Sequence, residues 1–166
     1  MREISVTELQ VTPRMIGNEW WLVTAGDEAN GYNTMTASWG HVGVIWQRPT
    51  AIVYIRPQRY TKEFMDRADR YTFSLFGGDY KKEMGYLGSH SGRDEDKVAK
   101  VGLTPVFEED YTYFAQAETV IVCRKLYRAP LLPTGFIDAR IIDEHYPDGD
   151  FHEIYIGEIE KVLVKE

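Results

Sequence analysis

Runs rich in β-branched and aromatic residues recur along this chain without a helical segment between each successive pair. That pattern argues against a doubly wound parallel sheet, which needs strict alternation of strand and helix. Trp20 to Ala25 is one such run, bounded by Gly17-Asn18 and Gly26-Asp27, and reads as a buried strand. Thr50 to Ile55 is another, closed by Arg56-Pro57. From Tyr71 to Phe76, Tyr71, Phe73 and Leu75 alternate with Thr72 and Ser74. Thr112 to Tyr127 reads as one long or bent strand. In the last run, His152 to Val164, Gly157 breaks the phase between Ile156 and Ile159, as a β-bulge does. Val42 to Trp46 lies among glycines and reads either as a short strand or as a helical turn, ended by Pro49.

Three helical segments interrupt these runs. Thr61 to Arg70 has Thr61 as its N-cap and turns Phe64, Met65 and Ala68 inward. Asp79 is placed to cap a second helix, with Tyr80, Met84 and Leu87 on one face, and Asp94 a short third that stops at Gly102. Gly88 to Arg93 is too rich in Gly and Ser for regular structure, and Ala129 to Asp150 is irregular and punctuated by Pro130, Pro133 and Pro147. The expected fold is mainly β with added helices: a β-barrel of about six strands with peripheral helices, forming a single domain over residues 1–166.

Within that frame one short stretch is unusual. After the turn at Asn30-Gly31, the segment Asn33-Thr34-Met35-Thr36-Ala37-Ser38-Trp39 is a poor helix former, because Thr, Asn and Ser compete for backbone hydrogen bonds. As a strand it carries Asn33, Met35, Ala37 and Trp39 on one face and the hydroxyls of Thr34, Thr36 and Ser38 on the other. Such a strand suits a flat heteroaromatic ligand with a polar edge; the same pattern also describes a half-buried strand whose hydroxyls face water.

Two basic stretches precede helix starts. Arg56-Pro57-Gln58-Arg59-Tyr60-Thr61 combines two guanidinium groups with a hydroxyl at a helix N-terminus, the ingredients of a phosphate site. Alternatively Thr61 only caps, and the arginines pair with local acids. Ser91-Gly92-Arg93-Asp94-Glu95-Asp96-Lys97 joins a flexible turn to a helix start, with Arg93 and Lys97 as its cations. Residues 56–100 hold ten Lys/Arg against eight Asp/Glu, whereas the rest of the chain holds nine against eighteen. A basic middle of this kind suits a small anion, or is solvated helix surface.

Composition narrows the function classes. A formal charge of −7 argues against a nucleic-acid binder held by phosphate neutralisation. No stretch of 18 apolar residues spans a membrane, and the N-terminus has no apolar signal region. The single cysteine, Cys123, excludes an internal disulfide; it reads as a small buried hydrophobe, and a reducing cytoplasm is the expected location. P-loop, GxGxxG, HExxH and Gly-x-Ser-x-Gly patterns are all absent, and His41, His90, His145 and His152 show no metal-ligand spacing. His152, at the start of the last strand, is either a satisfied edge residue or a functional one.

Taken in order, these segments resemble the flavin reductase-like, FMN-binding split-barrel family, especially its flavoredoxin-type members. The resemblance rests on Asn33-x-Met35-Thr36-Ala37-Ser38-Trp39, Arg56-Pro57-x-Arg59-Tyr60-Thr61 and Ser91-Gly92-Arg93-Asp94-x-Asp96-Lys97. It extends through Tyr146-Pro147-Asp148-x-Asp150-Phe151-His152 and Tyr155-Ile156-Gly157-Glu158-Ile159, in unbroken order from about Trp20 to Val162. Each motif is weak alone; four in sequence are specific. The resemblance implies a split barrel that binds FMN near a homodimer interface and accepts hydride from NAD(P)H. In it, the Asn33–Trp39 segment lines the flavin, while Arg59, Thr61 and Lys97 hold its phosphate, with Arg56, Tyr60, Ser91, Gly92 and Arg93 around them. His152 is expected near the flavin or the incoming nicotinamide. An electron carrier serving a redox partner and a non-catalytic flavin-binding module are the alternatives. The sequence departs from the family at Gln47-Arg48-Pro49, which bears on the local turn.

Overall fold

The structure, a computed structural model, describes residues 1–166. The strands are β1 (Arg2–Ile4), β2 (Trp21–Asp27), β3 (Gly31–Ala37), β4 (Gly40–Ile45), β5 (Arg48–Ile55), β6 (Arg70–Leu75), β7 (Pro105–Phe107), β8 (Thr112–Phe114), β9 (Thr119–Pro130) and β10 (Glu153–Val164). The helices are α1 (Tyr60–Arg67), α2 (Lys81–Ser89), α3 (Lys97–Lys100) and α4 (Arg140–His145). One antiparallel sheet runs in the order β3-β2-β6-β9-β10-β5-β4, with β1 added to β10; β7 and β8 form a separate hairpin. Consecutive strands β3 and β4 therefore stand at opposite ends of the strand order, joined only through Ser38-Trp39. The sheet stays open along that seam, so the barrel is split, as expected.

The middle strands are apolar on both faces because both are covered. Trp21, Val23 and Ala25 of β2 pack inside the barrel with Phe73, Ile121, Cys123 and Tyr155. Leu22, on the opposite face, packs beneath Met84 and Leu87 of α2, Val98 of α3 and Phe114 of β8. Burial on two sides is why Trp20 to Ala25 reads as a continuous apolar run. Most of the polar groups inside are paired: Thr24 and Thr34 share a 2.9 Å hydrogen bond, and the Thr112 hydroxyl donates to the Gly26 carbonyl at 2.9 Å, whereas the buried Trp21 Nε1 and Ser74 Oγ have no partner.

The bulge at Gly157 is present, with the β9 register shifting between Ile156 and Gly157. A Cβ there would lie 2.5 Å from the Tyr71 hydroxyl and 2.8 Å from Cys123 Cβ, so the bulge lets two strands close on a residue without a side chain. Cys123 is fully buried, and that burial pushes its thiol well above the ordinary range. Val42 to Trp46 resolves as β4 and a two-residue hairpin in which Trp46 (φ 53°) and Gln47 (φ 58°) are both left-handed.

Several local expectations are corrected. Thr61 is not the N-cap of α1; Arg59 occupies that position, and Thr61 lies buried in the first turn. Neither Asp79 nor Asp94 caps: α2 starts from Tyr80 without a side-chain cap, and Asp96 caps α3 by accepting from the Ala99 N–H at 3.0 Å. The single strand expected over 112–127 is two, β8 and β9, because the chain turns at Ala115 to Glu118. Residues 129–150 contain α4, and β1 adds a strand at the N-terminus for which no pattern had pointed.

Candidate cofactor site

The open seam holds a cleft in three connected parts. The first is a polar chamber of about 450 Å³ between β3, the start of α1 and the loop joining α2 to α3. It brings together Asn33, Arg59, Tyr60, Thr61, Ser91, Gly92, Arg93 and Lys97, which lie up to 64 positions apart in sequence. Lys97 is only 4% exposed, and its ammonium donates to the Leu87 carbonyl at 2.8 Å and the His90 carbonyl at 2.9 Å. Burial, and after it the Arg59 guanidinium, push Lys97 down to about 8. Arg59 itself donates to the Gly88 carbonyl at 2.8 Å, leaving most of its N–H groups without a protein acceptor. Asn33 Nδ2 donates to Thr61 Oγ1 at 2.8 Å, so the Thr61 hydroxyl is free to donate its own proton. Two cations that repel one another, a free hydroxyl donor and a buried floor make an anion site.

The rest of the chamber frames that site. Arg93 lies over the Tyr60 ring at 4.6 Å and pairs with Glu63, so its charge is already matched. Ser91 accepts from the Arg93 N–H at 3.2 Å, which shapes the turn. Gly92 is required by space: a Cβ would fall 2.1 Å from Asn33 Oδ1.

Met35 and Arg59 are shared with a second, smaller pocket of about 130 Å³ along β3. Its walls are Met35, Thr36, Ala37, Ser38 and Trp39 on one side and Tyr54, Arg56 and His152 on the other. β3 is an edge strand, so the residues of β3 that line this pocket have backbone N–H and C=O groups without a partner strand on one side. The row of free hydroxyls expected on β3 does not form. Thr34 is fully buried and bonded to Thr24 and the Val23 carbonyl, and Thr36 Oγ1 donates to the Met84 carbonyl at 2.5 Å. Only Ser38 lines the pocket with an unengaged hydroxyl. Two neighbours are the cause: α2 takes up Thr36, and the paired strand β2 takes up Thr34.

Arg56 stands at this second pocket and not in the anion chamber; it pairs with Asp150 at 2.6 Å and donates to the His145 carbonyl at 2.9 Å. His152 is 8% exposed, with its ring 4.9 Å from that of Trp39. Burial and then Arg56 push His152 down to about 4, so the imidazole is neutral at pH 7. Its Nδ1 lies 2.8 Å from the Tyr146 hydroxyl, and burial raises that phenol as well. The sequence reading did not single out Tyr54 or assign Tyr146 a role. Tyr146 had a signal, standing six positions before His152 in the same motif, whereas Tyr54 was hidden in an ordinary strand pattern.

Beyond Ser38 and Trp39 the cleft opens into an apolar cavity of about 630 Å³, lined mainly by the N-terminal segment, β4 and the region around α4. No helix in the protein is long and apolar enough to cross a membrane.

The comparisons agree with this architecture. No curated protein matches the sequence. Among solved structures, flavoredoxin of Desulfovibrio vulgaris (Miyazaki F) is 28% identical, with a TM-score of 0.67 over 89% of this chain and 69% of that one. An FMN-binding domain of flavin reductases-like enzyme from Shewanella baltica OS155 has the same fold at 13% identity, with a TM-score of 0.69 over 98% of this chain and 76% of that one. The FMN-binding protein from Thermus thermophilus, solved with bound p-hydroxybenzaldehyde, shares the fold at 22% identity and a TM-score of 0.66, covering 100% and 83%. The family model for the flavin reductase like domain matches residues 14–166, and the chain belongs to that family.

Proposed function

We propose that the protein binds FMN along the seam and uses it to accept hydride from NAD(P)H. The observation that carries this reading is the anion chamber: Lys97 and Arg59, forced together with only carbonyl partners, lack the countercharge that a phosphate supplies. The chamber continues into the pocket beside β3, so a phosphate in the first places a ring in the second. The residues fit FMN at both ends. Arg59, Lys97 and Thr61 hold the phosphate; the free edge of β3 and Ser38 offer hydrogen-bond partners to the ring, and Met35 and Trp39 offer apolar contact. Bound FMN supplies the redox chemistry.

The protein's part is binding, orientation and electrostatics. The neutral His152 imidazole lines the ring pocket, and the 2.8 Å hydrogen bond between its Nδ1 and the Tyr146 hydroxyl fixes the orientation of the ring. The pair shields one flank of the pocket from water, and the preorganised donors favour the negative charge of a reduced ring. Trp39, Val44, Trp46, Leu132 and Ile137 are large apolar side chains left exposed on the single chain, which suits burial against a second subunit, and a homodimer belongs to the proposal.

A second reading, an electron carrier that exchanges electrons with a protein partner, is favoured by the likeness to a flavoredoxin and by the 40% exposure of Trp39 beside the ring pocket. Two measurements separate the readings. The absorbance spectrum after reconstitution with FMN and desalting reports binding, and steady-state oxidation of NADH and NADPH reports hydride transfer. Bound flavin with turnover supports the reductase, and bound flavin without turnover supports the carrier. Turnover that needs added FMN supports a reductase that exchanges its flavin, and absence of both bound flavin and turnover with added FMN refutes both.

A further inference from the structure

The apolar cavity beyond Trp39 differs from the rest of the cleft in a chemically specific way. None of its lining residues is Lys, Arg, Asp or Glu. Val11 and Ile16 form one wall, Val42 another, and Phe136 and Ile141 a third. Its polar side chains are uncharged and mostly engaged: His41 and Tyr54 hydrogen-bond one another at 3.4 Å, Thr12 accepts from the Met15 N–H, the Tyr146 hydroxyl is paired with His152, and the Ser38 hydroxyl is unengaged. The anion chamber at the other end of the cleft instead carries Arg59, Arg93 and Lys97. The division matters, because an anion taken into an apolar cavity without a cation loses its hydration and gains nothing in return. A dinucleotide with its pyrophosphate, or a second flavin phosphate, is therefore mismatched to this space. At about 630 Å³, the cavity has the size of a small-molecule site. It shares Ser38, Trp39 and Tyr54 with the ring pocket, so an occupant would sit directly beside whatever that pocket holds.

We propose that this cavity is a second ligand site, for a flat, uncharged aromatic molecule with one hydrogen-bonding group. Aromatic contact with Trp39 and Phe136 supplies the affinity, and the His41–Tyr54 pair or Ser38 receives the polar group. The site stands on its own lining and does not depend on FMN occupying the neighbouring pocket.

A matched pair of probes tests it. 2-Naphthol and naphthalene-2-sulfonate share one ring system, and only the second carries a fixed negative charge. Isothermal titration of each into the full-length protein, with and without FMN, should show 2-naphthol bound at one site per chain and at least tenfold more tightly than the sulfonate. Ile141 is 40% exposed on α4 at the cavity's edge, so Ile141→Glu keeps the fold; it should weaken 2-naphthol at least tenfold by placing a carboxylate in the lining. Equal affinity for the two probes, or 2-naphthol binding untouched by Ile141→Glu, overturns the proposal. So does a dimer in sedimentation that binds no 2-naphthol, which would assign the cavity to the subunit interface. Naphthol binding in a protein that fails to take FMN keeps this site and removes the flavin reading, so the two fail separately.

Discussion

Replacing Lys97 by methionine separates a phosphate grip from a structural role. The lysine is nearly inaccessible, and its ammonium is held between two carbonyls. Its folded value of about 8, against 10.5 for a free lysine, corresponds to about 3 kcal/mol of destabilisation in the ligand-free protein. A base whose folded value is depressed carries that penalty in full below pH 8 and loses it as pH rises from 8 to 10.5. A bound phosphate supplies the missing countercharge, so it holds Lys97 protonated to higher pH. FMN affinity of the parent should therefore fall about tenfold between pH 7 and pH 9, as the ligand-free lysine gives up its proton. Lys97→Met removes a charge-assisted hydrogen bond of about 1.5–3 kcal/mol, which predicts FMN weakened by roughly 10- to 150-fold at pH 7. The variant's affinity should also be flat across that pH range. Riboflavin, which lacks the phosphate, should bind parent and variant alike at every pH. Titration followed by flavin fluorescence gives all the required dissociation constants. Equal losses for FMN and riboflavin, or a fall above pH 8 that survives in Lys97→Met, would refute the assignment of Lys97 to the phosphate.

Arg59→Ala should likewise weaken FMN by roughly 10- to 150-fold and spare riboflavin, by the same titration. Gly92→Ala drives a methyl group into Asn33 Oδ1 and should break the Asn33–Thr61 hydrogen bond; FMN affinity should drop while the melting temperature changes by only a few degrees. Gly157→Ala should do the reverse, costing about 1–3 kcal/mol of stability in denaturant unfolding, because Tyr71 and Cys123 occupy the space its Cβ needs. Sedimentation equilibrium at micromolar concentration should give twice the 19.2 kDa chain mass; a monomer would count against the dimer.

What was legible in the sequence is what near neighbours decide. The runs at Trp20–Ala25, Thr50–Ile55 and Tyr71–Phe76 became β2, β5 and β6, because β-branching and alternation act over a few residues. The bulge at Gly157 was visible as a break in phase. The split-barrel family was legible from four motifs in order, and the family match bears it out. Caps and turns were less legible. Asp79 stands before α2 without capping it, and α3 is capped by Asp96 where the sequence pointed to Asp94, because the helix axes are set by what Met84, Leu87 and Val98 pack against. The same limit applies to β3, whose alternation of hydroxyls was read correctly while their use was not. Whether Thr34 and Thr36 face a ligand or a neighbour depends on β2 for the first and on α2 for the second, and both reach β3 only through tertiary packing. The anion chamber required tertiary structure most of all. From the residues alone, the stretches at Arg59 and Lys97 each read either as part of an anion site or as solvated charge beside a helix start, and only the family resemblance implied that they converge. Only the antiparallel order β3-β2-β6-β9-β10-β5-β4, in which consecutive β3 and β4 close from opposite ends, sets the seam against which α1 and the loop after α2 fold. Long-range strand pairing makes that choice, and no local pattern encodes which edges are left unpaired.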